Sequence, residues 1–215
     1  MNKMQNFIEK YFAAFLKESR IRNPFVESEQ VIKIPPTAEE LQKLISFLQE
    51  NHLNPVIIGT LAVMKHLVVT TADIQNRIYR PIQTIDLLVS KLPKQLFNDW
   101  HLDKESLPRL CWISPSNGYV KFFNFKEEFP LDLENITESC KDHESALMNC
   151  PVLNVETLFR MKLNSKKERD IFDLMMLTRK LEIPQDIDLK LWNDTQRQKL
   201  EFLRHWAKIR LSEKK

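Results

Sequence analysis

Three stretches of this 215-residue chain hold residues whose types and spacing suit work on an anion or a metal ion. In PVIIGTLAVMKHL, residues 55–67, a β-branched apolar run meets a helical pattern at Gly59, one of only two glycines in the chain. A strand that turns through glycine into a helix brings backbone N–H groups and the helix dipole to bear on an anion. In TIDLLVS, residues 84–90, Asp86 interrupts an apolar β-run. A lone carboxylate in a buried strand is costly unless it is paired or holds a metal. Residues two apart share a strand face, so the partners of Asp86 at metal-pair spacing are Thr84 and Leu88. One acid of an Asp-x-Asp pair is therefore missing. In FPLDLENI, residues 129–136, Asp132 and Glu134 share a face. From an adjacent strand, Asp132 would join Asp86 in holding Mg²⁺, with Glu134 as an extra ligand. A solvent-facing strand side accounts for Asp132 and Glu134 equally well.

A further cluster lies in NVETLFRMKLNSKKERDIFDL, residues 154–174. Lys162 and Arg169 stand near Asp170 and Asp173, and the two acids are three apart on one helix face. The basic groups suit a triphosphate; a solvated face laced with weak ion pairs is the competing reading. His66, on an apolar helix face, reads as a hydrogen-bonded core histidine. Cys111, Cys140 and Cys150 are odd in number and lack metal-ligand spacing, which suits reduced, buried thiols.

The elements that must position these residues follow from periodicity. Phe7, Ile8, Tyr11, Phe12, Phe15 and Leu16 recur at helical steps. A second helix is expected from Thr37, where Thr37 and Glu40 make a capping-box spacing and Leu41, Leu44, Ile45 and Leu48 form the stripe. PVIIG and TIDLLVS read as strands around a helix that begins after Gly59, and the polar stretch after residue 90 looks helical. RLCWISPSNGYVKFFNF reads as a hairpin with Ser116-Asn117-Gly118 as its turn, where a positive-φ residue accounts for the second glycine. FPLDLENI is a further strand, and from Asn154 onward the chain is helical. The pattern predicts an α+β fold, with a small mixed β-sheet flanked by helices and a helical C-terminal third.

Composition excludes several classes. An apolar fraction of 43% with 28% charged residues is ordinary for a globular protein. No apolar run approaches the roughly 20 residues of a membrane helix. The N-terminus, broken by Glu9, Lys10, Lys17 and Glu18, makes a poor signal peptide, so a cytoplasmic, non-membrane protein is expected. A net charge of +3 is too slight to argue for nucleic acid. The Lys190–Lys215 tail, with Trp192 and Trp206, suits either RNA contact or an amphipathic helix whose stripe includes Phe202, Leu203, Trp206 and Ile209.

Taken in order, these motifs resemble the nucleotidyltransferase superfamily, in particular the bacterial branch that includes AbiEii-type toxins. Gly59, Thr60, Ala62 and His66 fall on its strand-glycine-helix spacing. Arg80, Thr84 and Asp86 are similar to its arginine and Thr-x-Asp, and Asp132 to its third acid. PVLNVETLFRMKL and KERDIFDL, with Lys162, Asp170 and Asp173, are similar to its ending. The resemblance spans roughly residues 37–181, between an N-terminal helical extension at 1–36 and a C-terminal helix at 182–215. It implies transfer of a nucleotidyl group from an NTP to a hydroxyl on an unspecified RNA or protein acceptor. Asp86, Asp132 and Glu134 would be on Mg²⁺, and Gly59, Thr60, Lys162, Arg169 and Asp170 on the nucleotide. Leu88 in place of the second acid, and Thr60 in place of a second glycine or serine, depart from the pattern. The alternative is an inactive member of the fold that binds a nucleotide or a protein partner.

Overall fold

Thr37 begins the first described helix as its spacing predicts. The Thr37 N–H donates to Glu40 Oε2 at 2.8 Å, and the Glu40 N–H donates to Thr37 Oγ1 at 3.2 Å, closing a capping box. Helix α1, Ala38–Glu50, buries Leu41, Leu44, Ile45 and Leu48 completely. It stops at Asn51, whose side-chain amide donates to the Phe47 carbonyl at 2.8 Å. The chain then leaves through His52 and Asn54 in the left-handed region. The computed structural model describes residues 33–67, 82–104, 110–124, 141–163 and 168–180, with 198, 201–203 and 205. The expected helix near residues 7–16, the FPLDLENI strand and most of the C-terminal tail lie outside them.

The chain divides into two compact units, Met1–Leu153 and Asn154–Lys215, with the boundary inside the 37–181 segment. The first holds α1, β1 (Val56–Ile58), α2 (Gly59–Leu67), β2 (Ile85–Val89), β3 (His101–Leu102), β4 (Leu110–Ile113), β5 (Tyr119–Asn124), β6 (Lys141–Leu147) and β7 (Cys150–Leu153). Its strands form one sheet in the order β3-β4-β5-β2-β1-β7-β6. The β1–β2, β3–β4, β4–β5 and β6–β7 pairs are antiparallel, whereas β2–β5 and β1–β7 are parallel. The sheet is therefore mixed. The central β1 and β2 are almost wholly apolar because both their faces are covered, and Asp86 is the exception. The second unit holds α3 (Val155–Leu163) and α4 (Glu168–Lys180), so the described residues after Asn154 are helical, as expected. No described helix is long and apolar enough to cross a membrane.

Two local expectations are corrected, and one strand is added. Residues 90–104 are irregular apart from β3, because Pro93 removes a donor and bars the preceding residue from helical geometry. The segment instead packs Phe97 on Phe47, ring centroids 5.0 Å apart, and on Trp100. Gly118 is not at positive φ; Asn117 takes that role at φ 61°. A side chain on Gly118 would collide with the Pro36 backbone, since Ile34 bridges to Gly118 and its carbonyl accepts from the Tyr119 N–H at 2.8 Å. Finally, β6 is an additional edge strand. It reaches β7 through Met148 and Asn149, both at positive φ, the backbone that two-residue hairpin turns demand.

Helix α1 is pinned at both ends. Gln49 Nε2 donates to the Asn149 carbonyl at 2.9 Å. At the other end, Glu40 also accepts from Ser114 Oγ at 2.9 Å, the Ser116 N–H at 2.9 Å and Ser116 Oγ at 2.5 Å. One carboxylate thus caps the helix and holds the β4–β5 turn. Burial works to raise the Glu40 pKa, but the bonds from Ser116, Thr37 and Ser114 outweigh it and hold the carboxyl below its usual 4.5. A depressed folded-state pKa contributes stability that is full above the unfolded value and lost as pH falls through the folded one. The urea midpoint of the wild type should therefore fall more steeply than that of Glu40→Gln as pH drops from about 5 to about 3. At pH 7 Glu40→Ala should cost about 1–3 kcal/mol.

Candidate functional site

Strand β1 passes into α2 with no intervening loop, and the junction is Gly59. Its φ is +69°, a conformation that side chains resist. A second constraint is independent of φ. In the antiparallel register Ile58 lies opposite Asp86, which brings the Asp86 side chain under the turn. A Cβ on Gly59 would stand 2.5 Å from Asp86 Oδ2 and 3.0 Å from Asp86 Cβ. Glycine is needed here because the backbone is left-handed and because a carboxylate fills the space.

That carboxylate is oriented. Thr84 Oγ1 donates to Asp86 Oδ1 at 3.0 Å, while Oδ2 lies beneath Gly59. Asp86 is half-buried, at the end of α2 where the helix dipole favours negative charge. Thr60 follows Gly59 in the first turn of α2 and is also half-buried. At the other end of the helix, His66 Nε2 donates to the Leu153 carbonyl at 2.8 Å, tying α2 to β7 in the structural role expected of it.

The neighbours of Asp86 on its sheet face define what it can bind. Leu88, two residues on, is completely buried and pairs with Val56 and Phe123. On the other side β5 runs parallel to β2 and sets Lys121 opposite Asp86. Paired residues share a face, with strands roughly 5 Å apart. Tyr119 and Phe123 flank Lys121 on that face, and Cys111 is its partner on β4, completely buried. No three His, Cys, Asp or Glu side chains come together among the described residues. Asp86 is thus one carboxylate where two-ion chemistry needs more, and the described residues do not fit a Mg²⁺ pair. Asp132, Glu134 and Arg80 lie outside the described residues. Cys150 is no nucleophile: burial pushes its thiol pKa up to about 12.

Lys162 and Asp170 belong to the second unit. Asn154 caps α3, its Oδ1 accepting from the Thr157 N–H at 2.8 Å. From α3, Lys162 Nζ donates to Asp170 Oδ1 at 2.8 Å and to Asp173 Oδ2 at 2.6 Å, both on α4. Lys162 is 5% exposed and Asp173 is fully buried. Two of the residues read as nucleotide-binding are thus partners of each other, in a largely buried triad that joins the helices. Arg169 lies on the α4 backbone, its side chain outside the described residues.

Lys121, opposite Asp86, is not among the residues that the sequence pattern singled out. The signal was present, since a lone lysine breaks the apolar strand YVKFFN as Asp86 breaks IDLLV. What was missing was the knowledge that these two strands are neighbours.

No protein-family model matches the chain, and no curated protein matches it. Among solved structures, a crystal structure of a protein from H. pylori, provisionally assigned as a nucleotidyltransferase, aligns with 100% of this chain and 99% of its own. The identity is 14% and the TM-score 0.38.

Two outcomes follow from this geometry. Gly59→Ala should cost about 2–4 kcal/mol, from backbone strain and the collision with Asp86. An Asp86→Ala background removes the 2.5 Å contact with Oδ2 and leaves only the looser one with Cβ, so a double-mutant cycle by urea denaturation should give a coupling of about 1 kcal/mol or more. In the second unit, Lys162→Met leaves two carboxylates uncompensated and should cost about 3–5 kcal/mol. Adding Asp170→Leu and Asp173→Leu to Lys162→Met should recover most of that loss in the same assay.

Proposed function

We propose that this chain is a nucleotidyltransferase-like protein that binds a nucleoside triphosphate, phosphates first, at the β1–α2 corner. The observation that carries the reading is the bare backbone at Gly59, drawn onto an oriented Asp86 at the start of a helix. Such a corner gives phosphate oxygens close access to main-chain N–H groups and to the positive end of a dipole. The order of motifs from Gly59 to Asp173 supports the same class. Binding without turnover is the preferred form of the reading, because Leu88 fills the second acid's position from inside the core.

Mg²⁺-dependent transfer of a nucleotidyl group to a hydroxyl acceptor is the second reading. Its support is the half-buried Asp86, held in one orientation by Thr84. It requires a second carboxylate, for which Asp132 and Glu134 are the candidates.

Titration calorimetry with each of the four NTPs, with and without Mg²⁺, tests the binding reading. The wild type should bind at least one NTP, and inorganic tripolyphosphate should compete. No binding to any NTP sinks the proposal. Asp86→Ala separates its two forms. A tenfold or greater loss of affinity, about 1.4 kcal/mol, seen only with Mg²⁺ favours transfer. Unchanged or tighter binding, from removing a negative charge near the phosphates, favours binding without turnover.

A further inference from the structure

The Asp86 carboxylate and the phosphates of a nucleotide are both negative, so a site that brings them together needs a cation between them. The described acids do not build a site for a divalent ion, yet the strand beside Asp86 carries a positive charge. Lys121 is opposite Asp86 in the parallel β2–β5 register, on the same face, with side chains rooted roughly 5 Å apart. The remaining strand residues along this row and its neighbours are apolar or a buried thiol: Ile58, Val56, Leu88, Phe123, Tyr119 and Cys111. A lysine set among them is half-buried rather than solvated on an open face. The ion pairs among the described residues involve Lys33 and Lys162, so none engages the Lys121 ammonium.

We infer that Lys121 is a phosphate-binding residue that supplies, beside Asp86, the positive charge a divalent cation would otherwise bring. A four-carbon stem is long enough to carry a compact ammonium with three donors from this row toward the Gly59 corner. The inference rests on the phosphate-binding reading and adds to it a residue and a consequence: nucleotide binding is independent of divalent metal.

The experiment is nucleotide titration in EDTA and in Mg²⁺ on the full chain, for the wild type, Lys121→Arg, Lys121→Met and Lys121→Asp, with thermal unfolding of each to establish folding. Wild-type affinity should be the same in EDTA and in Mg²⁺. Lys121→Met should lose tenfold or more under both conditions, and Lys121→Arg should stay within a few-fold of wild type. Lys121→Asp places a second carboxylate beside Asp86 and should make binding depend on Mg²⁺. Wild-type binding that disappears in EDTA, or a folded Lys121→Met that binds as well as wild type, overturns the inference while leaving nucleotide binding intact. A wild type that binds no nucleotide in either buffer overturns the phosphate-binding reading and this inference with it.

Discussion

The close approach of the Gly59 backbone to Asp86 is the constraint around which the first unit is arranged. Strand β1 is only three residues long and turns directly into α2, so the helix axis is set where the strand ends. Because Ile58 pairs with Asp86, that turn must form over a side chain. A residue with a Cβ would have to push the helix away or break the register. The β1–β2 pair is the middle of the sheet, with β5 beyond one strand and β7 beyond the other. A shift at Gly59 would therefore be felt on both sides, in the β2–β5 register that places Lys121 and in the His66 bond to the end of β7.

Around that centre, polar groups act as fixings for apolar elements. Glu40 joins the start of α1 to the β4–β5 turn through one carboxylate that accepts four hydrogen bonds, while Gln49 joins its last turn to the turn before β7. Four leucine and isoleucine side chains between these points are fully buried. Burial supplies most of the free energy, and the polar fixings choose which of several apolar packings is adopted. In the second unit the Lys162 triad does the same for α3 and α4. There the charges are desolvated, so the arrangement is sensitive to loss of one member more than it is strongly stabilising as a whole.

Charge also distinguishes the two clusters in their bearing on function. Lys162 has two carboxylates within hydrogen-bond distance and is all but inaccessible. An ammonium so engaged is poorly placed to change partners, because doing so would strand the fully buried Asp173 and leave Asp170 uncompensated. Lys121 is half-buried and has Asp86 opposite it across one strand spacing. On physical grounds the β1–β2–β5 face is the better place for an anionic ligand.

What the sequence by itself determined is local. The Thr37–Glu40 spacing specified the α1 cap, the stripe from Leu41 to Leu48 its buried face, and the β-branched run its turn at Gly59. Each is set by neighbours within a few positions, so period and capping chemistry were enough. The α+β class was legible for the same reason. Tertiary structure decided everything that depends on which distant segments meet. Gly118 is glycine because Pro36 lies against it, not because its own φ demands it. The charged β6 strand pairs at the sheet edge because a two-residue turn returns it to β7. Lys162, read as facing a ligand, is claimed by two acids on the next helix. Lys121 gained a place beside Asp86 because the parallel β2–β5 pairing passes over β3 and β4, and no local pattern encodes a crossover. Residue type and spacing say which chemistry a group can do; the register of strands far apart in the chain decides which charge it meets.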